Sequence, residues 1–323
     1  MRALACAALL AFLTALPAGA EPARIRLGLL AFGTVQWEIE TIRAEGLDAA
    51  QNVALDVTAL ANKDGAAVAL LGGSVDAIVS DWLWVSRQRA MGNDLTFVPW
   101  SGMTGALLVP AGSKIASLAD LAGKRIGIAG GPLDKSWLLL RALATQRHGL
   151  DLEKMTEPSF GAPPLLAQQL EAGRLDALLT FWQYAVPLEL KGMRRLIEVS
   201  TIPAELGITA NPPLLGWVFR RPWADAHPDA LRGFLTAGRE GKARLCGDDA
   251  PWRRIEPLTK AGDETTRQAL RHFYCAGIPA AWGERERDAA AQVYALMARL
   301  GGTELVGSAP ALQDGTFWPG YRH

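Results

Sequence analysis

The chain has 323 residues, half of them hydrophobic, with 33 basic and 33 acidic side chains. That balance gives no electrostatic footing for nucleic acid. Nor is any segment after the first twenty residues both apolar and long enough to span a bilayer. Residues 1–20 combine Arg2, the apolar run "ALACAALLAFLTAL" and Ala18-Gly19-Ala20 before Glu21, the pattern of a cleaved secretory signal peptide. Its removal takes Arg2 and moves the charge from 0 to −1. The remaining length, about 300 residues, suits two lobes better than one core. Cys246 and Cys275 are the cysteines left after cleavage. In an oxidising compartment they are expected to form one disulfide, worth roughly 3 kcal/mol in the chain-entropy model, with a reactive thiol as the alternative.

In chain order, "RIRLGLLAF" reads as a buried strand leading through Gly33-Thr34 into the helical pattern "VQWEIETIRAEG". "VALDVTALA" is a second strand, followed by Asn62-Lys63-Asp64-Gly65 and a short helix, and "DAIVSDW" is a third. Strands alternating with helices imply a parallel sheet covered by helices. After "GALLVPAG" the pattern restarts with strand "KRIGIAGG", helix "DKSWLLLRALATQRHG", strand "TEPSF", helix "PPLLAQQLEAG" and strand "DALLTFW". From about residue 214 onward the patterns are helical, too few in strands for a third sheet domain. This tail is expected to pack back on the first lobe, so that the chain crosses between lobes near 105–112 and 212–220 and forms a hinge.

A repeat displaced by 100 residues links the halves: "LLGGSVDAIVSDWLWV" at 70–85 and "LEAGRLDALLTFWQYA" at 170–185. In each, glycine caps a helix, an aspartate-alanine pair opens a buried strand, and aromatics follow its carboxyl end. Ligands of open α/β sheets sit outside those carboxyl ends. Trp82 and Trp84 would then face Trp182 and Tyr184 across a cleft, or each could be a core residue. Asp76 and Asp176 read as turn or capping residues. Other junctions facing the cleft would be Phe32-Gly33-Thr34, Asn62-Lys63-Asp64, Gly130-Gly131-Pro132 and Phe160-Gly161-Ala162. Helix N-termini there would suit an anion. Lys135, unfavourable beside a helix N-terminus, needs either Asp134 or a bound anion as compensation. "IAGG" does not complete a dinucleotide fingerprint.

With "SLADLAGKRIGIAGG" at 117–131, both G-x-[VL]-D-A strands and "SFGAPPLLAQQLEAGRLDALLTFW" at 159–182, the chain resembles the periplasmic solute-binding proteins of ABC importers, in the nitrate/sulfonate/taurine group related to thiamine-precursor binders. The resemblance implies a type II α/β fold, with two lobes joined by a two-strand hinge and a C-terminal helical segment packed on lobe one. The expected bounds are 1–20 for the signal, 21–108 for lobe one, 109–212 for lobe two and 213–323 for the return. It further implies a monomer in the periplasm that traps a solute by hinge closure and delivers it to an inner-membrane permease. The cleft contacts carried over are Phe32, Gly33, Thr34, Trp37, Ser80, Asp81, Trp82, Gly131, Asp134, Lys135, Ser136, Trp137, Phe181 and Trp182. Lys63, Trp84, Phe160, Gly161 and Tyr184 are added from the strand ends.

The abundance of tryptophan, eleven in all, favours stacking on a planar solute. First choice is an aromatic anion, either an aryl sulfonate or carboxylate or a quinone cofactor of the pyrroloquinoline quinone kind. Second is a cationic heteroaromatic such as a thiamine-precursor-like pyrimidine, and third a metal ion, for which clustered ligands are lacking. No cofactor is expected. Catalysis on the same fold would rest on Cys275 with His272, the one nucleophile-base pair at helical spacing.

Overall fold

A computed structural model describes residues 21–31 and 33–321. The signal-like segment and Phe32 lie outside the described residues. Lobe one is built on β1 (Ala23–Leu30), β2 (Val53–Leu60), β3 (Ala77–Asp81) and β4 (Leu95–Ser101), with α1 (Val35–Ala44), α2 (Lys63–Leu71) and α3 (Trp82–Ala90) between them. Lobe two holds β5 (Gly105–Val109), β6 (Arg125–Ala129), β7 (Glu157–Gly161), β8 (Ala177–Phe181) and β9 (Arg194–Glu198), with α4 (Lys135–His148), α5 (Pro163–Glu171) and α6 (Trp182–Leu190). β10 (Leu215–Arg220) then returns to lobe one, and α7 (Pro228–Gly247), α8 (Glu264–Ala276) and α9 (Glu284–Val306) follow.

The two sheets have one topology: β2-β1-β3-β10-β4 and β7-β6-β8-β5-β9. In each, three parallel strands are followed by an antiparallel one, β10 against β3 and β5 against β8. The sheets are therefore mixed, not wholly parallel. The antiparallel strand of lobe two arrives before its three-strand unit, and that of lobe one after the whole of lobe two. "GALLV" belongs to the second sheet, which puts the first crossing at residues 102–104, ahead of the expected boundary at 108.

The repeated aspartates have a role the sequence reading did not give them. Asp76 accepts hydrogen bonds from the backbone N–H of Arg26 (2.9 Å), its Nε (3.0 Å) and its Nη2 (2.5 Å). Asp176 does the same with Arg125 at 2.9, 3.0 and 2.8 Å. Each carboxylate thus grips the strand beside its own with a two-pronged guanidinium bond, the strong geometry for this pair. Registers agree as well, Leu27 and Gly28 facing Ala77 and Ile78 as Ile126 and Gly127 face Ala177 and Leu178. Gly73 and Gly173 take positive φ, 75° and 69°, as a helix-ending glycine should.

The tail packs α7 along α1, while α9 touches both α3 of lobe one and α4 of lobe two. Cys246 and Cys275 are bonded, joining α7 to α8. No helix among the described residues is long and apolar enough to cross a membrane.

Candidate functional site

Between the lobes lies a cavity of about 180 Å³, walled by the carboxyl ends of the strands and by both crossings. Lobe one contributes Gly33 and Thr34 after β1, Lys63 at the head of α2, and Ser80 and Asp81 at the end of β3. Lobe two contributes Asp134, Lys135 and Ser136 at the head of α4, and Phe181, Trp182 and Tyr184 after β8.

One wall is charged. Asp81 caps α3 by accepting the N–H of Trp84 at 2.9 Å, and its other oxygen meets Lys135 Nζ at 2.8 Å. Because Lys135 belongs to lobe two, this ion pair closes across the cleft, and its partners are only 7% and 22% exposed. Burial pushes the Asp81 carboxyl up, but Lys135, with help from Lys63 and the Trp84 N–H, brings it below the ordinary carboxylate range. Burial depresses Lys135, and Asp81 more than reverses that, so the ammonium is held above its ordinary value. Asp134 accepts the N–H of Ser136 at 2.9 Å. There burial wins over Lys63 and Lys135, and the carboxyl is raised. Lys135 is therefore compensated chiefly by Asp81 across the cleft, with the adjacent Asp134 adding a weaker attraction. Lys63 is exposed at the cleft edge, beside an Asn62 side chain that caps α2 through Gly65 N–H at 2.8 Å.

The other wall is aromatic. Trp182 is nearly buried, its ring edge-on to Trp37 of lobe one at 5.8 Å, and Phe181 and Tyr184 lie beside it on the cavity surface. Burial raises the Tyr184 hydroxyl above its ordinary value. Trp100, missed by sequence reasoning, lines the same cavity together with Ser101, Met103 and Thr104. Its signal was the segment "PWSGMTG", which runs from the end of β4 into β5 where the chain leaves one lobe for the other.

Several expected contacts are placed elsewhere. Trp82 is fully buried, donates from Nε1 to the Pro213 carbonyl at 3.0 Å and packs edge-on against Phe317 at 6.1 Å. The C-terminal segment covers it, whereas its counterpart Trp182 lines the cavity. Trp37 stands behind Trp182, packed on Trp252 and Tyr274. Trp137 is fully buried in the same core as Ile126 and Ile128, on a helix that also packs against α9. Trp84 is half-buried on that core. Gly131, Phe160 and Gly161 do not line the cavity, and Phe160 is exposed. Phe32 lies outside the described residues. Cys275, bonded to Cys246, offers no thiolate, which removes the nucleophile from the pairing with His272. No cluster of three or more metal-ligating side chains occurs among the described residues.

The sequence profile described as NMT1/THI5 like matches residues 44–248, most of both lobes. The chain belongs to the NMT1/THI5-like family. No curated protein matches the sequence. Among solved structures, the chain is similar to the alkanesulfonate-binding protein SsuA from Xanthomonas axonopodis pv. citri bound to MOPS, with 19% identity, 93% of this chain and 99% of that one covered, and a TM-score of 0.68. It is similar also to the periplasmic aliphatic sulphonate binding protein SsuA from Escherichia coli, with 18% identity, coverage of 92% and 98%, and a TM-score of 0.70. A third is a DSZB mutant in complex with biphenyl-2-sulfinic acid, with 15% identity, coverage of 89% and 95%, and a TM-score of 0.56. These likenesses establish that this member of the family has the two-lobed fold of the periplasmic binding proteins.

Proposed function

We propose that the protein is a periplasmic solute-binding protein of an ABC importer. It takes a small planar aromatic anion, an aryl sulfonate or carboxylate, between its lobes and presents it to an inner-membrane permease. The observation that carries this is the pairing of walls around one cavity: Phe181, Trp182, Tyr184 and Trp100 on one side, Lys63 and the heads of α2 and α4 on the other. Aromatic faces gain from a flat ring, while an exposed ammonium and the positive ends of two helices gain from an acid group. Relatives of the same fold bind MOPS and biphenyl-2-sulfinic acid, which agrees with a sulfur oxyanion on a ring-bearing molecule.

The cavity volume of about 180 Å³ is below the roughly 300–1,000 Å³ of pockets that hold drug-sized ligands, which supports a one-ring solute over a fused tricyclic quinone. Charge argues against a cationic pyrimidine. Asp81 is already neutralised by Lys135, and Asp134 already has Lys63 and Lys135 as neighbouring cations, so neither is a ready counter-ion.

Native mass spectrometry of protein purified without denaturation tests for a retained solute. Tryptophan fluorescence titrated with benzenesulfonate, benzoate, methanesulfonate and an aminopyrimidine then separates the classes. The aryl anions should quench. Quenching by methanesulfonate alone, or by the aminopyrimidine alone, would end this reading.

A further inference from the structure

Glu38, on α1, is a fully buried carboxylate away from the cleft surface. Its Oε2 accepts hydrogen bonds from Trp100 Nε1 at 2.7 Å and from the Tyr274 hydroxyl at 3.0 Å, and Lys242 Nζ stands 3.6 Å from the same oxygen. Nζ of Lys242 also lies 5.6 Å from the centre of the Trp100 ring. Oε1 has no hydrogen-bond partner and faces Gly238, where a Cβ would come within 3.2 Å. Burying a carboxylate with half its lone pairs idle is costly. An apolar residue would pack α1 against α7 and α8 at lower cost, so the carboxylate does something that packing does not require. Of the groups it touches, Trp100 alone reaches the cavity.

We propose that Glu38 is a positioning residue of the binding site: it fixes the indole of Trp100 in the plane that meets the ring of the solute. Tyr274 and Lys242 hold Glu38 in turn. Tyr274 sits on α8 next to Cys275, and Lys242 sits on α7 one turn before Cys246. The Cys246–Cys275 bond thereby ties together the two helices that hold the carboxylate. Trp100 ends at the first crossing between lobes, so its ring is set by a framework anchored wholly in lobe one. The proposal rests on the reading of the cleft as an aromatic-solute site.

The test is a double-mutant cycle of Glu38→Leu with Trp100→Phe, read by near-ultraviolet circular dichroism of the free protein and by affinity for benzenesulfonate. Glu38→Leu should change the tryptophan dichroism and weaken the probe by about tenfold, as expected for losing a hydrogen bond to a charged group. Both effects should vanish in the Trp100→Phe background, because the carboxylate acts through that indole. Glu38→Gln keeps an acceptor and should retain most of the dichroism and lose affinity by about two- to threefold. If Glu38→Leu does not fold, Glu38→Gln carries the same cycle. Equal losses with and without the Trp100→Phe substitution would overturn the proposal and leave Glu38 a packing residue. Failure of the wild-type protein to bind the probe would count against the aromatic-solute reading. The dichroism cycle would still decide whether Glu38 orients Trp100.

Discussion

Lobe one and lobe two share a sheet order, a strand register and an aspartate-arginine clamp, yet the same repeat ends differently in each. In lobe one the strand closes on Asp81, whose carboxylate caps α3 and reaches across to Lys135, and the following Trp82 is sealed under the C-terminal segment. In lobe two the corresponding positions are Phe181, which caps nothing with its side chain, and Trp182, which lines the cavity. A duplicated framework therefore carries a charged wall and an aromatic wall. The scaffold sets where a strand ends, and what lies against that end decides whether the residue there is core or surface.

The difference can be broken by substitution, and the largest effect belongs to the tryptophans. Trp82→Ala should destabilise the protein by about 3–5 kcal/mol, as for other fully buried large side chains, with its denaturant midpoint falling accordingly. Trp182→Ala should cost less stability and weaken aryl-anion binding, read by fluorescence titration. Equal stability losses with no change in affinity would put both residues in the core.

Lys135→Met leaves Asp81 buried without its partner and should cost about 3–5 kcal/mol, much of it recovered by adding Asp81→Asn. Urea unfolding of the single and double variants measures this. Opening the disulfide, by Cys246→Ser with Cys275→Ser, should cost roughly 3 kcal/mol, with the loss confined to the lobe that carries α7 and α8. Hydrogen exchange should show faster opening there than in β6–β8. The smallest effects separate the clamps. Asp76 is 4% exposed and Asp176 31%, so Asp76→Ala should cost about 2–3 kcal/mol and Asp176→Ala about 1 kcal/mol or less.

Acidity sharpens the same contrast because the charged wall carries shifted groups of both signs. The lowered carboxyl of Asp81 contributes stability that is full above the ordinary carboxylate range and is lost as pH falls through its lower folded value. The raised ammonium of Lys135 contributes stability that is full below the ordinary lysine value and is lost as pH rises through its higher folded one. Asp134 works in the opposite sense. Its raised carboxyl favours folding while protonated, and that advantage is lost as pH rises from the ordinary carboxylate value to the folded one. Unfolding midpoints measured across pH should therefore fall at the alkaline end for the wild type and fall less there for Lys135→Met, the remaining fall coming from tyrosines whose hydroxyls burial raises, Tyr184 and Tyr274 among them.

Much of this was legible in the sequence. Alternating strands and helices, two glycine caps and a repeat at a spacing of 100 gave two lobes and a cleft at the strand ends, and Lys63, Asp81, Lys135, Phe181, Trp182 and Tyr184 do line that cavity. Trp37, Trp82, Trp84 and Trp137 were not separable from them by pattern, because a tryptophan following a strand looks the same whether its ring turns to the cleft or to the core. Trp100 and Glu38 were not legible for the converse reason. One sits near the end of β4, a strand the pattern did not single out, and the other is a single acid on a helix whose partners are 62 and 236 residues away.

The sequence by itself determined the local rules: where strands are buried, where glycine must end a helix, and where an aspartate opens a strand. These follow from backbone geometry and apolar periodicity within a few tens of residues. Only the tertiary structure decided that Asp76 grips Arg26, that Asp81 pairs across the cleft with Lys135, and that Trp82 is covered while Trp182 lines the cavity. Each of those depends on which distant segment fills the space beside the side chain, and packing that joins residues 50 to 235 apart leaves no period to read.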